Sequence, residues 1–78
     1  MNVLIVEDEP LAVQKLSKLL LEIAPKLKIS GITDGIESTV EWLETNPNPD
    51  LILMDIELCD GQSFEIFNQM EVKSPVIF

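Results

Sequence analysis

Two groups of carboxylates stand where apolar runs stop. Val3-Leu4-Ile5-Val6 ends in Glu7-Asp8-Glu9, and Leu51-Ile52-Leu53-Met54 ends in Asp55. An ionised side chain is costly to bury, so each acid should emerge where its strand stops and solvent or a cation can reach it. In open parallel sheets, the rim beyond the carboxyl ends of the strands is where ligands sit. If the two runs are neighbouring strands, their tips lie about 4.8 Å apart. Two carboxylates about 5 Å apart repel by about 3 kcal/mol at an effective dielectric of about 20, a cost that a cation between them removes. The ligands on offer are hard oxygens, and the chain has no histidine. That donor set favours Mg²⁺, Mn²⁺ or Ca²⁺ over zinc or copper. An open rim with few carboxylates suits Mg²⁺, which keeps several waters. A carboxylate beside such an ion can also attack phosphorus and form an aspartyl phosphate. Asp55 ends the central run and is the better nucleophile; Glu7 and Asp8 are better placed to hold the metal. The competing reading is plainer: Glu7, Asp8 and Glu9 favour the positive end of the helix that follows, and Asp55 is a solvated loop acid.

The elements that must position these acids can be read along the chain. Pro10 suits the first turn of a helix. Val13, Leu16, Leu20 and Ile23 then recur at helical spacing, with Lys15, Lys18 and Glu22 elsewhere on the surface, until Ala24-Pro25 stops the run. Leu27 to Ile32 reads as a shorter strand, and Asp34-Gly35 as the turn after it. Ile36, Val40 and Leu43 give a second helical stripe, which Asn46-Pro47-Asn48-Pro49 breaks. Trp42 near that stripe reads as a packing residue. The run 51–55 is a strand buried on both faces. After the Asp60-Gly61 turn, Phe64, Phe67 and Met70 predict a third helix to about residue 71, with those three side chains in the core. Ser74-Pro75 restarts an extended run, Val76-Ile77-Phe78. The order β-α-β-α-β-α-β at this spacing predicts an α/β fold with a parallel sheet and three helices in right-handed crossovers.

The totals narrow the function classes. The chain has 78 residues, 46 % of them hydrophobic, which is one small domain and argues against disorder. Its 14 acids against 5 basic residues, all lysine, give a net charge of −9. Nucleic acid and anionic membrane are poor partners for such a surface, and divalent cations good ones. No segment reaches the roughly 18 apolar residues of a membrane span. Met1-Asn2 lacks the basic start of a secretory signal. The single Cys59 can form no internal disulfide, which fits a reducing compartment. A cytoplasmic location is expected.

The run Val3-Leu4-Ile5-Val6-Glu7-Asp8-Glu9-Pro10, followed by Leu51-Ile52-Leu53-Met54-Asp55-Ile56, strongly resembles the receiver domain of two-component response regulators. The stretches EDEP and DIELCDGQSFEIF are most similar to receivers whose output is a LytTR-type DNA-binding domain. The resemblance covers essentially the whole chain. It implies a flavodoxin-like sheet, here in strand order 2-1-3-4. It implies that Asp55 is the phosphoacceptor, taking its phosphoryl group from a sensor histidine kinase. Asp8 and Asp55 would bind Mg²⁺ directly, Glu57 through its backbone carbonyl, and Glu7 mainly through water. The chain departs from the pattern at Cys59, where many receivers have proline, and at Ser63, where many have glycine; Gly61 is expected to supply the flexible turn instead.

The resemblance also implies a Ser or Thr just beyond the fourth strand and a Lys ending a fifth. The 78 residues stop at Phe78, before both; Lys73 and Ser74 precede the fourth strand, at the opposite end of the sheet. Residues 1–78 are therefore expected to be the N-terminal part of a receiver, without the fifth strand and last helices. Such a piece should bind metal but not complete the switch, and should dimerise through its bare last strand. It would be a self-modifying acceptor, not a turnover enzyme. DNA contact would belong to a separate output domain. Two rivals remain: a haloacid-dehalogenase-like phosphatase, for which Glu57 stands where a second Asp is usual, and a non-phosphorylatable receiver-like dimerisation module.

Overall fold

Four successive apolar residues, Val3 to Val6, set the middle of the molecule. The computed structural model describes residues 1–78 throughout. Strand β1 (Asn2–Val6) has Val3, Leu4, Ile5 and Val6 fully buried. Only a strand covered on both faces can bury four successive side chains, because neighbours point to opposite sides. On one side of β1 lies β2 (Lys28–Thr33), and on the other β3 (Leu51–Met54). A two-residue strand, β6 (Val76–Ile77), pairs with β3. All pairings are parallel, in the order β2-β1-β3-β6. This is the flavodoxin-like order expected, with β6 as the expected fourth strand.

The pleat divides the core. Leu4, Val6, Ile52 and Met54 face one side, where they join Ile36 and Leu43 of α2 (Ile36–Thr45), Leu58, and Ile66 of α3 (Ile66–Gln69). Val3 and Ile5 face the other side, which α1 (Pro10–Ile23) covers more loosely. Val13, Leu16 and Leu20 are half-buried there, and α1 has no fully buried residue. Ile23, expected in the same stripe, is 72 % exposed, because the helix ends there and Ala24 turns the chain away.

On the second crossover, Trp42 packs against the core cluster and lays its indole over Gly31. A Cβ at position 31 would come within 2.5 Å of the indole nitrogen, so the close approach needs glycine. The β1–β2 register slips between Val3 and Leu4, leaving Ser30 as the extra residue; its hydroxyl donates to the Val3 carbonyl at 3.2 Å.

The segment after β3 differs from expectation. Instead of an open loop it forms a small antiparallel hairpin, β4 (Glu57–Leu58) with β5 (Gly61–Gln62). A 3-10 turn (Ser63–Glu65) then leads into α3, a single turn that ends at Gln69 instead of near residue 71. The buried positions are Ser63 and Ile66, whereas Phe64 and Phe67 are 47 % and 41 % exposed and Met70 is half-buried. The hairpin sets the phase of the helix: with Leu58 already in the core, the turn arrives with Ile66 inward. Phe67 instead packs edge-to-face with Phe78, ring centroids 6.4 Å apart.

Candidate metal centre

Parallel pairing in register carries the acids to one rim. Val6 lies opposite Met54 on one side and Thr33 on the other. The ladders run one residue past the strands. The Glu7 amide donates to the Thr33 carbonyl, and the Asp55 amide donates to the Val6 carbonyl, both at 2.9 Å. The backbones of Glu7 and Asp55 are thus pinned side by side before any side-chain contact is counted.

One carboxylate oxygen from each of Glu7, Asp8 and Asp55 falls within 4.8 Å of the others. Glu7 is half-buried; Asp8 and Asp55 are exposed. Partial burial pushes the Glu7 carboxyl above its usual range. The negative charges of Asp55 and Asp8 and a hydrogen bond shared with Asp55 push the same way, against the Glu9 amide, which donates to Glu7 Oε1 at 3.1 Å. At that spacing two carboxylates repel by about 3 kcal/mol at an effective dielectric of about 20.

Placement at the start of α1 does not account for Asp55 joining the group. Glu9 is the residue before the helix but makes no side-chain cap, and the first turn carries no acid. The donor set is three hard oxygens on an open rim, with histidine absent from the chain. Its crowded charge and oxygen chemistry fit a hard dication that retains water. Cys59 is turned elsewhere, its thiol 3.4 Å from the Asp34 carbonyl. The Glu57 carboxylate lies outside the cluster; the residue opens β4, two positions beyond Asp55. Ser74, considered for the family's hydroxyl role, donates to the Pro49 carbonyl at 2.6 Å, on the far rim before β3 begins.

Beside the acids runs a cleft of about 350 Å³, lined by Glu7, Asp55, Leu16, Leu53, Ile77 and Phe78 among others. Apart from the Glu7 and Asp55 carboxylates its lining is apolar.

Sequence reasoning read Asp60-Gly61 only as a turn. The structure gives Asp60 a further part: its carboxylate accepts hydrogen bonds from the Ile36 amide at 2.7 Å and the Glu37 amide at 3.2 Å. These bonds hold the carboxyl below its usual value, the Ile36 amide contributing most. The available signal was a missing one, since Gly35 before α2 has no side chain with which to cap it.

Comparison with known proteins places these features in company. The family model described as "Response regulator receiver domain" matches residues 3–78. The "Sensory transduction protein LytT" of Bacillus anthracis is 41 % identical over 76 residues, covering 96 % of this chain and 30 % of that protein. The protein of the same description from Enterococcus faecalis is 34 % identical over 70 residues, covering 90 % of this chain and 28 % of its own length. The chain thus spans about 30 % of the length of these relatives. Among solved structures, the response regulator PhyR from Brucella abortus superposes with a TM-score of 0.82 at 26 % identity, covering 99 % of this chain and 32 % of that one. The signal receiver domain of a modulated diguanylate cyclase from Desulfovibrio desulfuricans G20 gives 0.76 at 32 % identity, covering 99 % and 62 %. The MaeR response regulator bound to beryllium trifluoride gives 0.74 at 28 % identity, covering 99 % and 64 %.

Proposed function

Because this chain belongs to the response regulator receiver domain family, we propose that it accepts a phosphoryl group on Asp55, with Mg²⁺ held by the neighbouring acids. The carrying observation is the gathering of Glu7, Asp8 and Asp55 within 4.8 Å on one rim of the sheet. Asp8 and Asp55 would hold the ion directly, Glu57 through its backbone carbonyl, and Glu7 mainly through water. When bound, the ion supplies positive charge that offsets the anionic oxygens of the arriving phosphoryl group.

The residues of the chain do the rest. An Asp55 carboxylate oxygen attacks the phosphorus of a phosphohistidine. The new O–P bond forms as the P–N bond breaks, and the departing imidazole nitrogen keeps the electron pair and takes up a proton. The Val6 carbonyl, holding the Asp55 amide at 2.9 Å, fixes where the nucleophile starts. The donor is a sensor histidine kinase, and the chain is an acceptor, not a turnover catalyst. In a longer protein of the LytT kind, the modified receiver would govern a DNA-binding output domain. No helix is long and apolar enough to cross a membrane. We propose further that the chain associates as homodimers.

Incubation with Mg²⁺ and acetyl phosphate, followed by intact mass, tests the reading. The expected result is one added phosphoryl group, absent without Mg²⁺ and absent in Asp55→Asn. Beryllium trifluoride with Mg²⁺ should raise the melting temperature of the unmodified chain and leave Asp55→Asn unchanged. An adduct that persists in Asp55→Asn would sink the assignment.

A further inference from the structure

We propose that Asp60 is a positioning residue for the Asp55 site, holding the 56–62 hairpin on the first turn of α2 so that the backbone at Glu57, two residues beyond Asp55, keeps its place. The inference rests on the receiver reading above and adds a residue to it. The tip of the hairpin lies against the start of α2 and the turn before it. Cys59 Sγ lies 3.4 Å from the Asp34 carbonyl. Asp60 accepts from the Ile36 and Glu37 amides, 24 and 23 positions earlier in the chain. Gly61, at φ +138°, leaves space into which a Cβ would bring contact with Ile36 Cδ1 at 3.0 Å.

The helix is built to receive this grip. A helix start leaves amides without intrahelical partners, normally met by a Ser, Thr, Asp or Asn at the cap. Gly35 occupies that place and supplies none. Ser38 Oγ satisfies the Gly35 amide at 3.0 Å, so the amides of Ile36 and Glu37 are left for Asp60. Glycine also leaves the carboxylate room: a Cβ at position 35 would sit 3.0 Å from both of its oxygens. The other anchors of the hairpin are the Ser63 amide, which donates to the Ile56 carbonyl at 2.8 Å at its base, and Leu58, which enters the core just before the tip. Glu57 lies between base and tip. A charge-assisted bond to two amides is the strong kind. Groups that orient a ligand from behind commonly change metal affinity by about 10–100-fold when removed.

The test is a calorimetric Mg²⁺ titration of the whole chain and four variants. Asp60→Ala should weaken Mg²⁺ binding about tenfold. Asp60→Asn, which keeps one acceptor oxygen, should recover most of the loss. Leu43→Ala, a cavity in α2 remote from the tip, should lower stability yet leave Mg²⁺ affinity within about twofold. Gly35→Ala, whose methyl crowds the carboxylate by a few tenths of an ångström, should weaken Mg²⁺ binding in the same direction but less, and carries the test if Asp60→Ala does not fold. Unchanged affinity in folded Asp60→Ala or Gly35→Ala overturns the proposal, as does an equal loss in Leu43→Ala. Wild-type chain that binds no Mg²⁺ in an Asp55-dependent way overturns the receiver reading itself, and this inference with it.

Discussion

Glu7 carries the electrostatic tension of the rim. Its carboxyl is raised above the usual 4.5 by partial burial and by the charges of Asp55 and Asp8. The folded chain therefore holds a proton that the unfolded chain has released over the interval above that value. Stability of the metal-free protein should fall as pH rises through this interval. Glu7→Gln should remove that slope and raise metal-free stability by about 0.5–1 kcal/mol, or about 3–6 °C in melting temperature. The same variant should lose part of the stabilisation that Mg²⁺ confers; melting curves from pH 4 to 8, with and without Mg²⁺, read both effects. Asp60 has the opposite sign. Its carboxyl is lowered below the usual 3.8, so its contribution is full above that pH and is lost as pH falls through the lowered value. Asp60→Ala should cost about 1 kcal/mol near neutrality, and the difference from wild type should vanish in acid. A constant difference down to acid pH would mean that the carboxylate is not the cap.

At the scale of elements, the third crossover separates two accounts of the core. Ile66 is fully buried whereas Phe64 is 47 % exposed. Ile66→Ala should cost about 2–5 kcal/mol, and Phe64→Ala under about 1 kcal/mol; urea melts distinguish the two. The reverse order would restore the stripe of Phe64, Phe67 and Met70 read from spacing. That stripe misled because apolar spacing in so short a run gives a helix without its phase. The hairpin before it fixes the phase through Leu58 and the Glu57–Gln62 pairing. Periodicity served better where runs were long. Val3–Val6 and Leu51–Met54 were legible as strands from their short apolar runs, but only the first is buried on both faces; Leu51 and Leu53 are half-buried and Asp55 lies beyond the strand. The rim acids were legible for the same reason, since each follows a strand at once. Asp60 was not, because its partners are the amides of a helix more than twenty residues upstream. Thr39 was missed likewise: it is buried in the second helix with its hydroxyl 2.7 Å from that of Thr33. A polar residue on an apolar stripe shows its worth only once its partner strand is placed.

For the whole molecule, the two faces of the sheet are unequally covered. The α2–α3 side holds the continuous core, while α1 leaves Leu11, Leu19 and Ile23 more than half exposed. Apolar area of this kind on so small a body favours association. Light scattering should show an average mass that climbs with protein concentration. Net charge of −9 opposes the contact, so added salt should strengthen it.

The main-chain bonds of Glu7 to Thr33 and of Asp55 to Val6 have a consequence for how such a chain can change over time. Side chains along β1 can be exchanged for others of similar bulk without disturbing the rim, because backbone bonds hold the rim in place. The number of residues is another matter. One residue added between Asn2 and Glu7 would turn every later side chain of the strand to the other face. Spelling is negotiable here; length is not.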